Sequence, residues 1–137
     1  MKKFISLIAF TCYFGYSQSN SSCVNIDFEN GNMNGWIGET GNCCPISTNP
    51  SGIINGRHTV MSGTGTDPFS EGNITVVAPG STYSARLGNS SVGAESERIR
   101  YTLTVDQSNS LFIYKYAVIL EDPNHTGPEQ PRFQLRV

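Results

Sequence analysis

Apolar and polar residues alternate along much of the chain, and this alternation predicts strands. A period of two is typical of a strand with one buried and one solvated face. The clearest segment is 97–106, whose apolar positions are Ile99, Tyr101, Leu103 and Val105. Shorter runs of the same kind predict further strands at 23–29, 57–62, 74–78, 81–88 and 132–137.

Two segments depart from this alternation. The segment 110–120 is apolar at nearly every position, which predicts a central strand covered on both faces. A helix is the alternative for such a run, but its β-branched and aromatic residues and the flanking Asn109 and Pro123 favour a strand. The segment 38–56 is rich in Gly, Asn, Pro and Cys, and it predicts a long loop.

Strands at this spacing, joined by turn residues, predict an all-β fold. The narrower prediction is a jelly-roll-like antiparallel β-sandwich formed by residues 19–137. The chain has 137 residues, which suits one domain. Because the sequence stops inside the alternating segment 132–137, we expect the sandwich to be incomplete at its C-terminal end, with further domains of a longer chain beyond it.

Residues 1–18 have the pattern of an export signal peptide. Lys2 and Lys3 precede a short apolar stretch, and small residues follow at Gly15 and Ser17. A buried N-terminal helix and a lipoprotein signal at Cys12 are the alternatives. The apolar stretch is too short for an ordinary membrane span. We therefore expect a protein that is secreted or held at the cell surface, without a membrane span.

Export would place the mature chain where disulfides persist. Three cysteines follow the predicted signal, namely Cys23, Cys43 and Cys44. A bridge between sequence neighbours strains the peptide that joins them. The sequence therefore predicts a disulfide from Cys23 to either Cys43 or Cys44, and the choice between them stays open. The remaining thiol would pair with another chain or with sequence beyond Val137.

Composition and charge narrow the class of partner. The net charge is -2, charged residues make up 15% of the chain, and no basic cluster appears, which argues against nucleic-acid binding. Apolar residues make up 37%, more than a disordered chain would carry.

Several motifs resemble known families. The segment "DFENGNMNGW" at 27–36 resembles the opening strand and turn of jelly-roll carbohydrate-binding modules. The later segments "VVAPGSTYSARLGN", "ERIRYTLTV" and "YKYAVILEDPNHTGPEQPRF" resemble the N-terminal module of large secreted surface proteins of the Bacteroidetes. Those proteins carry PKD-type repeats and gliding-motility-associated or sorting domains. The resemblance spans residues 23–137, and it implies a cell-surface location more than an activity.

Acidic residues near the start of the predicted module suggest a structural calcium ion. If the first strand alternates strictly, Asp27 and Glu29 share its polar face. Calcium favours carboxylates and carbonyl groups in irregular segments. The carbohydrate-binding modules that this opening resembles often hold a calcium near the same strand. The resemblance therefore implies a calcium site at Glu29, with Asp27 second, and the alternative is a solvent-facing strand end.

Candidate ligand-binding residues combine an aromatic ring with charged side chains. Aromatic platforms and a few convergent polar groups suit sugar recognition. Outward-facing arginines suit an acidic glycan, and the proline-rich connection 121–131 is either a binding loop or a purely structural one. The candidates are Trp36, Arg86, Arg98, Arg100, His125 and Glu129.

No sequence motif requires catalysis. The G-x-S-x-G nucleophile elbow is absent, and only His58 and His125 offer histidine bases. We therefore expect a noncatalytic module for adhesion or ligand binding, with a carbohydrate or another surface polymer as the ligand. The alternatives are a secreted hydrolase that acts on surface polymers and a purely structural spacer.

Overall fold

The computed structural model describes residues 23–91, 93–107, 109–121 and 124–137. The predicted signal peptide at 1–18 lies outside the described residues. Within these ranges, no helix has both the length and the apolar character needed to cross a bilayer.

Five strands form two antiparallel sheets in the described part of the chain, and the all-β fold class is confirmed. A three-stranded sheet has the order β2-β1-β5, and a two-stranded sheet pairs β3 with β4. The strands are β1 (Ile37–Asn42), β2 (Ser47–Pro50), β3 (His58–Ser62), β4 (Tyr83–Leu87) and β5 (Glu95–Arg100). Two single-turn 3-10 helices lie at Pro68–Ser70 and Gly127–Glu129. The jelly-roll arrangement itself stays a prediction.

The prediction of a loop at 38–56 is wrong in part, because β2 and all of β1 except Ile37 fall inside it. Gly41 pairs with Thr48 of β2, and a Cβ atom at Gly41 would overlap the Ser47 carbonyl. Gly38 is enclosed in the same way by the carbonyl of Gly52. In the sequence these glycines indicate a loop. In the sheet they allow the backbones of neighbouring segments to approach closely.

The predicted first strand, 23–29, is instead a series of turns. Asn25 is 6% exposed and has a φ of 57°. Its Nδ2 donates to the carbonyl oxygens of Asn32 at 3.0 Å and Asn34 at 2.9 Å, and its Oδ1 accepts from the Asn30 amide at 3.1 Å. A short amide side chain that bonds to nearby backbone competes with strand pairing, and here it closes the loop.

The predicted strands at 57–62 and 81–88 correspond to β3 and β4, and the prediction at 97–106 overlaps β5, which ends at Arg100. Segment 74–78 contributes only an isolated bridge between Thr75 and Thr66.

The segment 110–120 is not the buried central strand that its apolar character predicts. It lies outside both sheets, with Leu111 78% and Ile113 74% exposed. The segment 132–137 is likewise outside the sheets. Rings from the two segments lie in one row, with neighbouring centroids 5.4 to 6.0 Å apart. The row consists of Phe112, Tyr114, Tyr116 and Phe133. Apolar character shows that a segment tends to be buried, but it does not specify the partner that would cover it.

The most buried side chains of the two sheets are polar. Glu39 on β1 is 1% exposed and His58 on β3 is 2% exposed. The Nε2 of His58 lies 3.1 Å from the backbone oxygen of Glu39, which joins the two sheets. Burying polar groups is costly unless they are paired, so the partners of Glu39 and His58 determine how the sheets fit together.

Candidate functional site

A buried carboxylate holds two arginine side chains on one face of the three-stranded sheet. Glu39 on β1 lies directly opposite Arg98 on β5, and Arg100 follows two residues later on the same face. The Oε1 of Glu39 accepts from Arg100 Nε at 2.7 Å, and its Oε2 accepts from Arg98 Nε at 2.7 Å and from Arg98 Nη2. Thr48 Oγ1 on β2 donates to Oε2 at 2.9 Å. All three strands therefore contribute to this cluster.

Exposure differs sharply within the cluster. The side chain of Glu39 is 2% exposed, whereas those of Arg98 and Arg100 are 48% and 52% exposed. The carboxylate is thus covered by the guanidinium groups that it binds. Two positive charges against one negative charge leave the surface of the cluster with a net charge of about +1, because arginine stays protonated at all ordinary pH values.

The same contacts change the acidity of Glu39. The hydrogen bond from Arg98 is the main reason that the Glu39 pKa lies below its ordinary value of 4.5. Burial acts in the opposite direction, and the bonds from Thr48 and Arg100 add to the lowering of the pKa. Glu39 is therefore ionised at neutral pH, and the ion pair with both arginines is intact.

His58 and Arg57 hold this sheet against the two-stranded one. His58 Nδ1 accepts from the Ile54 amide at 3.1 Å, which leaves Nε2 to donate its proton to the Glu39 carbonyl. This pattern of one accepting and one donating nitrogen is that of the neutral ring. Arg57 pairs with Glu97 through Nε and with Glu95 through Nη1 at 3.1 Å.

Trp36 belongs to an aromatic cluster. Its ring stacks on Phe28 with centroids 4.7 Å apart, and Tyr101 tilts against it at 5.0 Å. Trp36 Nε1 donates to the Asn25 carbonyl at 3.0 Å, so the ring is fixed from three sides. These contacts describe a packing role, and a ligand role for Trp36 stays a prediction.

The other predicted ligand residues do not join the arginine pair. Arg86 lies on β4 beside Thr59. Because strand residues alternate, its side chain points away from the face on which His58 reaches Glu39. His125 and Glu129 are exposed in the proline-rich connection, where the His125 carbonyl accepts from Gln130 Nε2. Their ligand roles stay predictions.

Asp27 and Glu29, the predicted calcium ligands, bind backbone amides. Asp27 Oδ1 accepts from the Glu29 amide at 3.2 Å, and the Glu29 carboxylate accepts from the Thr82 amide at 3.0 and 3.1 Å. The backbone bond from Thr82 is the main cause that lowers the pKa of Glu29 below 4.5. Across the described ranges, no three acidic, histidine or cysteine side chains gather in a metal-binding arrangement. The calcium site stays a prediction.

The cysteines of the described residues occupy two separate places. The Sγ atoms of Cys43 and Cys44 lie in direct contact, near the Pro128 carbonyl, at the turn between β1 and β2. Cys23 is free and lies 4.0 Å from Asn109 Nδ2. The structure therefore does not contain the predicted bond from Cys23, which stays a prediction for the oxidised protein.

No protein-family model matches the chain, and comparisons with characterised proteins and with solved structures find none that is similar. The site is therefore interpreted from its own chemistry. Sequence reasoning found Arg98 and Arg100 from their alternation, but it missed Glu39 and treated His58 only as a possible base. Glu39 falls in the predicted loop 38–56, and His58 falls in the predicted strand 57–62, where no local pattern shows that its ring reaches the other sheet.

Proposed function

We propose that this chain is an exported, noncatalytic binding module that recognises an acidic glycan through Arg98 and Arg100. The observation that carries the proposal is the fixed arginine pair, with both guanidinium groups half-exposed and both tied to one buried carboxylate. A guanidinium held in place loses little freedom when it binds a second anion. The arginine pair is thus preorganised to bind a carboxylate or sulfate group on a sugar.

The hydrogen-bonding capacity of the pair supports this proposal. Arg100 bonds Glu39 through Nε, and among the described residues its two Nη atoms make no hydrogen bond. A guanidinium group carries five N–H donors in a planar fork, of which the Nη donors of Arg100 remain for a ligand. A carboxylate can accept two such donors side by side.

The surface beside Arg100 also suits a sugar. Ile37 lies directly opposite Arg100 across the two strands, and it is 46% exposed. Sugar-binding sites combine apolar contact with the C–H face of the ring and a few polar groups that fix its orientation. A cation next to an exposed aliphatic side chain provides both.

The noncatalytic part of the proposal rests on the state of Glu39. Both oxygens of this carboxylate are bonded by Arg98, Arg100 or Thr48, and its pKa is lowered. A general acid needs a raised pKa and a free approach to the substrate. Export and a surface location are supported by the signal-like residues 1–18 and by the resemblance to surface modules of the Bacteroidetes.

A panel of polysaccharides tests the proposal. Immobilised chains rich in uronic acid or sulfate should retain the protein, whereas neutral glucans of equal length should not. Single-site affinity should be weak, about micromolar to millimolar, because few groups make the contact. Equal retention on neutral and acidic polymers would contradict the proposal. Release of shorter oligosaccharides from any polymer would support the hydrolase alternative.

A further inference from the structure

The chain contains three Asn-Gly pairs, at Asn30–Gly31, Asn34–Gly35 and Asn55–Gly56. Glycine has no side chain to shield its backbone nitrogen, so that this nitrogen can approach the preceding asparagine side chain. We propose that Asn55 is a site of spontaneous deamidation in the folded protein, and that the fold protects Asn30.

The reaction needs only water. The backbone nitrogen of Gly56 loses its proton to solvent and attacks the side-chain carbonyl carbon of Asn55. The new C–N bond closes a five-membered succinimide ring, and the bond to Nδ2 breaks, so that ammonia leaves with the proton. Water then opens the ring at either carbonyl carbon and yields aspartate or isoaspartate. Nothing is oxidised or reduced.

The local geometry at Asn55 favours this reaction. Asn55 is exposed, and Gly56 has a φ of 83° in the turn closed by the Arg57 amide and the Ile54 carbonyl at 3.1 Å. A Cβ atom at Gly56 would meet nothing within 4 Å. Among the described residues, the amide of Gly56 and the side chain of Asn55 make no hydrogen bond. Both reacting groups are therefore free to approach each other.

The first pair is held. The Gly31 amide donates to the Phe28 carbonyl at 2.8 Å, which keeps this nitrogen from attacking. The pair Asn30–Gly31 must therefore open locally before it can reach the reactive geometry. The pair Asn34–Gly35 lies in an exposed turn like that of Asn55, closed by the Trp36 amide and the Met33 carbonyl at 3.1 Å, so the contrast is with Asn30 alone.

The position of Asn55 gives the modification a structural consequence. The turn that contains it supplies the Ile54 carbonyl, which accepts from the amides of Arg57 and His58 at 3.1 and 2.8 Å. Arg57 and His58 both connect the two sheets. Isoaspartate adds one atom to the backbone of this turn, and the new carboxylate competes with Glu97 for Arg57. Deamidation at Asn55 should therefore loosen the contact between the sheets.

Incubation in mildly alkaline buffer, followed by peptide mapping with mass spectrometry, tests the proposal. Asn55 should convert at least about tenfold faster than Asn30, which corresponds to a modest barrier difference. In urea the two rates should converge, because the Asn-Gly pairs are equivalent without the fold. Equal rates in the native protein, or no conversion at Asn55, would overturn the proposal.

Two variants separate the modification from its consequence. Asn55→Gln should abolish conversion at this position and should keep the melting temperature constant during incubation. The wild type should lose melting temperature in step with the modified fraction. Asn55→Asp, which carries the charge without the extra backbone atom, should show a smaller loss. If the melting temperature of Asn55→Gln falls as fast during incubation as that of the wild type, the structural consequence is contradicted.

Discussion

Glu39 and Arg98 face each other across β1 and β5, and the buried carboxylate of the first fixes the half-exposed guanidinium of the second. Arg100 binds the other carboxylate oxygen at 2.7 Å. A buried charge is tolerated only when it is paired, so the pair both stabilises the sheet and presents positive charge on its surface. Fold stability and the proposed ligand site therefore depend on the same three side chains.

Acid should destabilise the protein through Glu39. Its pKa in the folded state is lower than its ordinary value of 4.5, so protonation favours the unfolded chain. The stabilising contribution is complete above the unfolded pKa and is lost as the pH falls through the lowered folded pKa. Denaturant melts should therefore show a steeper loss of stability below pH 4.5 in the wild type than in Glu39→Gln.

A matched control is Glu129→Gln, because Glu129 is exposed and takes part in none of the ion pairs of the described residues. This variant should follow the wild-type profile. Identical profiles for the wild type and Glu39→Gln would show that the ion pair does not contribute to folding.

Replacement of His58 by alanine should be costly. The Ile54 amide and the Glu39 carbonyl would each lose a buried partner, and each unsatisfied group costs about 1 to 3 kcal/mol. Urea unfolding should show a total loss of about 2 to 6 kcal/mol. Thr59→Val is the control, since Thr59 Oγ1 is buried without a hydrogen-bond partner among the described residues, and its removal should be neutral or stabilising. If His58→Ala loses no more unfolding free energy than Thr59→Val, His58 does not stabilise the contact between the two sheets.

Trp36, the single tryptophan of the chain, should contribute to stability through its ring contacts. Trp36→Ala removes the stack with Phe28 and the contact with Tyr101, and we expect a loss of about 2 kcal/mol for this half-buried ring. Trp36→Phe keeps the stack and loses only the bond to the Asn25 carbonyl, at a cost of about 1 kcal/mol. Thermal melts followed by circular dichroism measure both. If Trp36→Ala melts like the wild type but abolishes glycan binding, Trp36 is a ligand platform instead.

Calcium would raise the melting temperature if the predicted site at Glu29 and Asp27 forms, because an ion that binds only the folded state stabilises it. Chelator should lower the melting temperature, added calcium should restore it, and Glu29→Ala should erase the difference. To bind the ion, the carboxylate of Glu29 must give up the hydrogen bond that it accepts from the Thr82 amide. A wild-type melt that is insensitive to chelator would leave Glu29 as a side chain that caps the Thr82 backbone.

The sequence predicts the all-β class and parts of individual strands, because alternation is a local property of β3, β4 and β5. It does not predict β1 and β2, since the glycines that let those strands approach closely are the same residues that mark loops. The turn around Asn25 was missed for a related reason, because its side-chain bonds reach to Asn34 and no local pattern encodes them.

The sequence predicts the arginines of the candidate site but not its buried carboxylate. Arg98 and Arg100 stand out because they are the outward positions of an alternating segment. Glu39 does not stand out, since its burial depends on pairing with a strand about 60 residues away, which is a contact between distant parts of the chain. The distinction between Arg86 and the arginine pair likewise depends on which sheet each strand joins.

Isothermal titration with an oligosaccharide of uronic acid tests the central claim most directly, when wild type, Arg100→Ala and Arg86→Ala are compared. Each variant removes one exposed arginine, but only Arg100 belongs to the pair held by Glu39. We predict that Arg100→Ala weakens binding about tenfold or more, as the loss of a charge-assisted contact should. Arg86→Ala should bind like the wild type. Equal losses in the two variants, or unchanged binding by Arg100→Ala, would contradict the account.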